Sequence, residues 1–117
     1  MTLQELKEIR YNEIDETSRT IIDQGFVFDS KTFSMSLTAQ INWSNILLIP
    51  DDVFPVPIST KDQSIYYLSL ANRQAFYLTA MNAKTTPLFS GSALKEQIRL
   101  CQDEACVNAV VDNRYQL

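Results

Sequence analysis

Gly25–Trp43 reads GFVFDSKTFSMSLTAQINW, and the way this stretch divides decides the fold. Phe26-Val27-Phe28 and Thr32-Phe33-Ser34 are short aromatic runs with the composition of strands. Asp29-Ser30-Lys31 between them has residue types that turn locally, although the usual glycine is missing. Ser34 or Ser36 is placed to start a helix over Leu37–Ile49, and Pro50 stops it, because the residue before a proline is pushed out of the helical region. Apolar spacing assigns Leu37, Ile41 and Leu48, with Trp43, to the buried side of that helix.

Upstream, Thr2-x-x-Glu5 is a capping-box pattern placed before a helical run. Leu3, Leu6, Ile9, Ile14, Ile21 and Ile22 form a drifting apolar stripe, and Asp15 and Arg19 are spaced for an i,i+4 pair. Gly25 suits the left-handed position just past the end of a helix spanning Leu3–Gln24. Such a helix is about 33 Å long, more than a small core needs. Residues 1–24 are therefore expected as an arm, packed on or projecting from the body of a single domain covering residues 1–117.

Downstream, Phe54, Val56 and Ile58 alternate with Pro55 and Pro57. The pattern predicts a strand paired with Ser64–Leu68 across a turn at Lys61–Gln63, its other edge stripped of N–H donors by the prolines. Ser69 caps a helix over Leu70–Lys84, which Pro87 and Gly91 interrupt. Ser92 caps a last helix in which Leu94, Ile98, Cys101 and Ala105 recur at helical spacing. Asp112-Asn113 ends it, and Arg114–Leu117 reads as a tail. The expected class is α+β: a long N-terminal amphipathic helix, a short aromatic β-hairpin, a second helix, a second β-hairpin and two C-terminal helices.

The composition narrows the function. Ten basic and fourteen acidic side chains give a formal net charge of −4, and no basic cluster supplies a footprint for a phosphate backbone, so nucleic acid is not an expected partner. Histidine is absent, which removes the commonest general base and transition-metal ligand. Ser90-Gly91-Ser92 lacks the lysine of a phosphate-binding loop, and no serine sits in a nucleophile elbow. Asp29 with Asp51-Asp52 lacks the spacing of a calcium loop. Neither a catalytic residue nor a metal or cofactor site is expected, and a small hydrolase working through carboxylates alone is the weakest alternative. Cys101 and Cys106, five apart on one continuous helix, would be separated by about 7.5 Å of rise and point roughly 140° apart. Two reduced, mostly buried thiols are expected, as suits a reducing cytosol. The N-terminus has no apolar signal core, and Ile46–Ile49 is too short to span a bilayer, so no membrane association is expected.

Surplus apolar side chains then become candidates for protein contacts. Leu6 and Ile9 lie on the long helix, and Trp43, Tyr66 and Tyr67 are aromatics of the kind that dominate interfaces. Adjacent Tyr66 and Tyr67 must face opposite sides of a strand, placing at least one outside the main core.

A helix carrying Arg10…Glu13-Ile14…Ile22, then Gly25-Phe26-Val27-Phe28-Asp29, Thr32-Phe33-Ser34-Met35-Ser36 and a helix with Ala39-Gln40-Ile41-Asn42-Trp43 resembles a domain of tailed bacteriophages. That domain, of unknown function, occurs in tail-fibre-associated and other virion proteins. The order continues through Phe54–Leu68 and Leu70–Asn113, so the resemblance covers nearly the whole chain. Ser30 stands where glycine is more typical, and the Thr85–Ser92 break departs from a more continuous helical region. The family has no established catalytic residues to carry over. The resemblance implies a non-enzymatic structural protein of the phage particle, assembled in the host cytoplasm. It would bind other virion proteins in the tail, neck or fibre-attachment region as a symmetric homo- or hetero-oligomer. The alternative in the same context is an assembly chaperone or adaptor for tail or fibre proteins that does not stay in the particle.

Overall fold

A computed structural model describes residues 1–115, and the expected tail residues Gln116 and Leu117 lie outside the described residues. The chain is α+β, with elements α1 (Leu3–Asp23), β1 (Phe26–Phe28), β2 (Lys31–Phe33), α2 (Leu37–Ser44), β3 (Val56–Ser59), β4 (Ile65–Leu68), α3 (Arg73–Arg99) and α4 (Glu104–Ala109). Short 3-10 turns at Ile46–Leu48, Asp51–Val53 and Leu70–Asn72 fill the connections. Two compact units divide the chain, one of residues 22–85 and the other of residues 1–21 with 86–117.

In the unit of residues 22–85, Gly25 turns the chain out of α1 at φ +80°. A Cβ there would sit 2.0 Å from the Phe33 carbonyl oxygen, so only glycine fits. Phe26 pairs with Phe33, Val27 with Thr32 and Phe28 with Lys31 in an antiparallel register. Because directly opposed residues share a face, Phe26, Phe28 and Phe33 point one way while Val27 and Thr32 point to solvent. The connecting turn is tighter than the sequence suggests. Lys31 belongs to β2, and Asp29 and Ser30 alone turn the chain, at φ 51° and 63°. Both central residues are therefore left-handed, as a two-residue hairpin loop that matches strand twist requires.

The three phenylalanines close on one ring. Phe76 of α3 is fully buried, with ring centroids of Phe26, Phe28, Phe33 and Trp43 at 5.4, 5.3, 5.1 and 5.2 Å. The Phe76 contacts are edge-on, the geometry that ring quadrupoles favour. The second hairpin joins this core through Val56 and Leu68, which face each other across β3 and β4. Its strand is shorter than expected, with Pro55 outside β3 and Pro57 as the proline within the strand. Asp62 organises the turn: its Oδ1 accepts from the Ser64 N–H (3.1 Å), the Ser64 hydroxyl (2.8 Å) and the Thr60 hydroxyl. Those hydrogen bonds, from Thr60 first, hold its carboxyl at a pKa of about 2. Neighbouring Lys61 closes α1 by donating from Nζ to the carbonyls of Asp23 and Gln24, each at 3.1 Å.

In the other unit, the capping box forms as its spacing predicts: Thr2 N–H donates to Glu5 Oε1 at 3.2 Å and Glu5 N–H to Thr2 Oγ1 at 3.1 Å. Asp15 accepts from Lys95 at 2.9 Å, where an Asp15–Arg19 pair was expected. The larger departure is α3, which runs unbroken through Pro87 and Gly91. A proline inside a helix removes one N–H, here the donor to the Ala83 carbonyl, and costs about 3 kcal/mol; polar contacts from outside α3 gather at the same position. The Pro87 carbonyl accepts from Arg114 Nη1 (2.8 Å) and Ser90 Oγ (3.1 Å), with buried Ser18 Oγ also within reach at 3.3 Å. Gly91 makes room for this cluster, since a Cβ would lie 2.7 Å from Ser18 Oγ and 3.1 Å from Arg114 Nη1.

Arg114, expected in a tail, is thus the centre of a network. It also donates to the Ile14 carbonyl at 3.0 Å and forms a two-point pair with Asp112 at 2.7 and 2.8 Å. The two side chains are 13% and 11% exposed, so the pair is screened little by water. The Arg114 guanidinium holds the Asp112 carboxyl below its ordinary value.

Correcting the expectation of reduced thiols, Cys101 and Cys106 form a disulfide with Cα atoms 5.5 Å apart. The helix they were assigned to does not exist. α3 ends at Arg99, and Asp103 starts α4 as an N-cap, accepting from the Cys106 N–H at 2.8 Å. That break removes the helical rise between the two residues and brings their Cα atoms within bridging distance. The inference of a reducing compartment falls with it.

Three outcomes are expected. Replacing Ser30 with glycine should raise stability by about 0.5–1 kcal/mol, by relieving a left-handed non-glycine residue; unchanged urea unfolding would refute this. Arg114→Ala should cost about 3 kcal/mol, because it strands Asp112 and four carbonyl or hydroxyl acceptors, at Ile14, Ser18, Pro87 and Ser90. Asp112 has a lowered folded-state pKa, so its contribution is complete above the unfolded value near 3.8 and is lost as pH falls through the lower folded value. Comparing urea midpoints at pH 7 and pH 3 should show less acid sensitivity in Asp112→Asn than in the parent.

Candidate protein-contact surface

α2 starts at Ser36, whose Oγ accepts from the Ala39 N–H at 3.2 Å. Trp43 sets its rotation: the indole N–H donates to the Ser34 carbonyl at 2.8 Å while the ring packs on Phe26, Phe33 and Phe76. With Trp43 inward, Ala39 and, beyond the helix, Ile46 follow it into the core. Leu37 and Ile41 lie two positions back from Ala39 and Trp43, about 200° round the helix, and so face solvent.

This reverses the expected orientation. Leu37 is 79% exposed, Ile41 63% and Leu48 78%, and only Trp43 of the four assigned to the buried side is buried. A helix that is apolar on opposite sides normally has protein on both. Between Lys31 and Asp51 there is no charged residue, so nothing on this segment repels an apolar partner or demands a counter-charge. Beside it lies an open groove of about 690 Å³, with Thr38, Asn42 and Asn45 on one wall and Pro57, Ile58 and Ser59 on the other. Amides, hydroxyls and aliphatic groups line most of the groove, with the Trp43 ring and the Lys61 side chain also on its wall.

The other sequence candidates scatter. Leu6 is half-buried, packed on the cluster of Ile14, Ile98, Cys101 and Val107, and Ile9 of the same unit is 42% exposed. Trp43 and Tyr66 are both brought against Phe33, so they serve the aromatic core. The Tyr66 hydroxyl donates to Asp29 Oδ2 at 2.9 Å. Burial first, then that hydrogen bond, raises its pKa above the usual 10.0. Tyr67, on the opposite face of β4, is 65% exposed. Leu37, Ile41 and Leu48 were missed as surface residues because apolar spacing marks a face without saying which way it points.

Asp29 and Asp51, weighed as cation ligands, are engaged by Tyr66 and by Arg73 (2.9 Å) respectively. Among the described residues there is no cluster of three or more metal-ligating side chains, and no helix is long and apolar enough to cross a membrane. No family model matches the chain, and no curated protein or solved structure does.

The two sides of α2 should respond oppositely to mutation. Trp43→Ala should cost about 3–5 kcal/mol, whereas Leu37→Ser and Ile41→Ser should each stay within about 0.5 kcal/mol of the parent. Chemical denaturation of the three variants checks this, and a large loss for Ile41→Ser would place that side chain inside.

Proposed function

We propose that this chain is a non-enzymatic structural protein of a tailed-bacteriophage particle that makes protein–protein contacts in the tail, neck or fibre-attachment region. The observation that carries the contact role is the outward face of α2 and the turn after it, where Leu37, Ile41 and Leu48 are 79, 63 and 78% exposed on an uncharged segment. Large apolar side chains left exposed at i and i+4 on one helix face, as Leu37 and Ile41 are, suit a contact site. The phage setting rests on the sequence resemblance centred on Gly25–Trp43. Partners are other virion proteins, and the contacts are apolar, carried by a helix face, with copies related by rotational symmetry. Pro57 withholds an N–H donor within β3, so partner binding by strand addition to that edge is disfavoured.

Substituting Ile41→Asp together with Leu48→Asp should leave the isolated protein folded while excluding it from particles. Mass spectrometry of purified particles from complementation with the variant reads this directly. Incorporation at the parent's level would refute the role of this face, and absence of the parent chain from particles would refute the virion assignment itself.

A further inference from the structure

The Cys101–Cys106 bond joins two residues of unequal exposure. Cys101 is 4% exposed and belongs to the cluster of Ile14, Ile98 and Val107, whereas Cys106 is exposed. Contacts independent of the bond fix both residues. Lys7 Nζ donates to the Cys101 carbonyl at 2.7 Å and to that of Arg99 at 3.0 Å. Arg10 donates to the carbonyls of Val107 (3.2 Å) and Val110 (2.5 Å), Asp103 caps α4, and Val107 is fully buried. The Cys101 sulfur also lies 3.4 Å from the Gln97 carbonyl oxygen, an acceptor in place for a thiol proton.

From this asymmetry we propose that Cys106 is a thiol–disulfide exchange site, the entry sulfur through which a small dithiol opens the bond while the surrounding fold persists. A thiolate of the dithiol attacks Cys106 Sγ. The protein S–S bond breaks, and its electron pair leaves on Cys101 Sγ, which takes up a proton. The second thiolate of the reagent then attacks its own sulfur in the mixed disulfide, closing the reagent's ring and releasing Cys106 as a thiolate, which is then protonated. Two electrons and two protons reach the protein, and the dithiol is oxidised to its cyclic disulfide. The bond is reversible because the Lys7, Arg10 and Asp103 contacts keep the two sulfurs adjacent, which makes the closing step of reoxidation intramolecular.

Dithiothreitol treatment of the folded protein, followed by brief iodoacetamide labelling and peptide mapping, tests the proposal. The expected result is opening without loss of the helical circular-dichroism signal, with Cys106 alkylated roughly tenfold or more faster than Cys101. Equal labelling of the two, opening only under unfolding conditions, or loss of helix on opening would each overturn it. In a second arm with oxidised glutathione, Cys101→Ser should acquire glutathione at Cys106 and Cys106→Ser should acquire none at Cys101. Equal uptake would also overturn it, and the labelling of the unsubstituted chain decides the matter if either variant fails to fold.

Discussion

The closure of four aromatic rings on Phe76 governs the unit of residues 22–85. Three of those rings come from a hairpin of two three-residue strands, too short to stand alone in water. Their faces are fixed by register, so Phe26, Phe28 and Phe33 reach α3 together, while Gly25 provides the left-handed turn that brings the hairpin there. Trp43 completes the cluster, and its indole hydrogen bond to Ser34 fixes the roll of α2. Once that roll is set, Leu37 and Ile41 have no route to the core. The exposed apolar face is therefore a consequence of core packing, and it gives the proposed contact role a physical origin.

A different interaction organises the unit of residues 1–21 and 86–117. Arg114 satisfies carbonyls at Ile14 and Pro87, holds Ser18 and pairs with Asp112, with Gly91 leaving space for the guanidinium. The three polar neighbours of the Pro87 carbonyl anchor α3 at the proline, without replacing the N–H donor that the Ala83 carbonyl loses. Removing such a pair's partner costs more than the pair contributes by itself, because a desolvated charge is left behind. The disulfide lies in the same unit, at the α3–α4 turn, alongside the Lys7 and Arg10 bonds that cap the neighbouring carbonyls.

Local signals in the sequence decide the structure where no distant partner is needed. The Thr2–Glu5 capping box, the Gly25 stop, both hairpins and the element order follow from spacing and turn chemistry. The misses arise where distant partners decide. Pro87 and Gly91 read as a helix break because the contacts gathered around them come from Arg114 and Ser18, far away in sequence. Cys101 and Cys106 read as unbridged because Asp103-Glu104, a helix-start signal, was absorbed into a longer helical pattern. On α2 the apolar spacing puts Leu37, Ile41 and Leu48 on the buried side with Trp43, whereas the stripe that packs inward is Ala39–Trp43–Ile46. Choosing the inward one required knowing that the rings of Phe33 and Phe76 were waiting for Trp43. The contact surface was thus present in the sequence as a pattern, but its direction was not.

The outward face of α2 as a protein-contact surface is the central claim, and site-specific photo-crosslinking inside assembled particles tests it most directly. A photoreactive side chain at Ile41, compared with one at exposed Asn12 of α1, should give an adduct to a neighbouring virion polypeptide from position 41 and far less from position 12. Particles that contain the chain yet show no intermolecular adduct from position 41 would contradict the account.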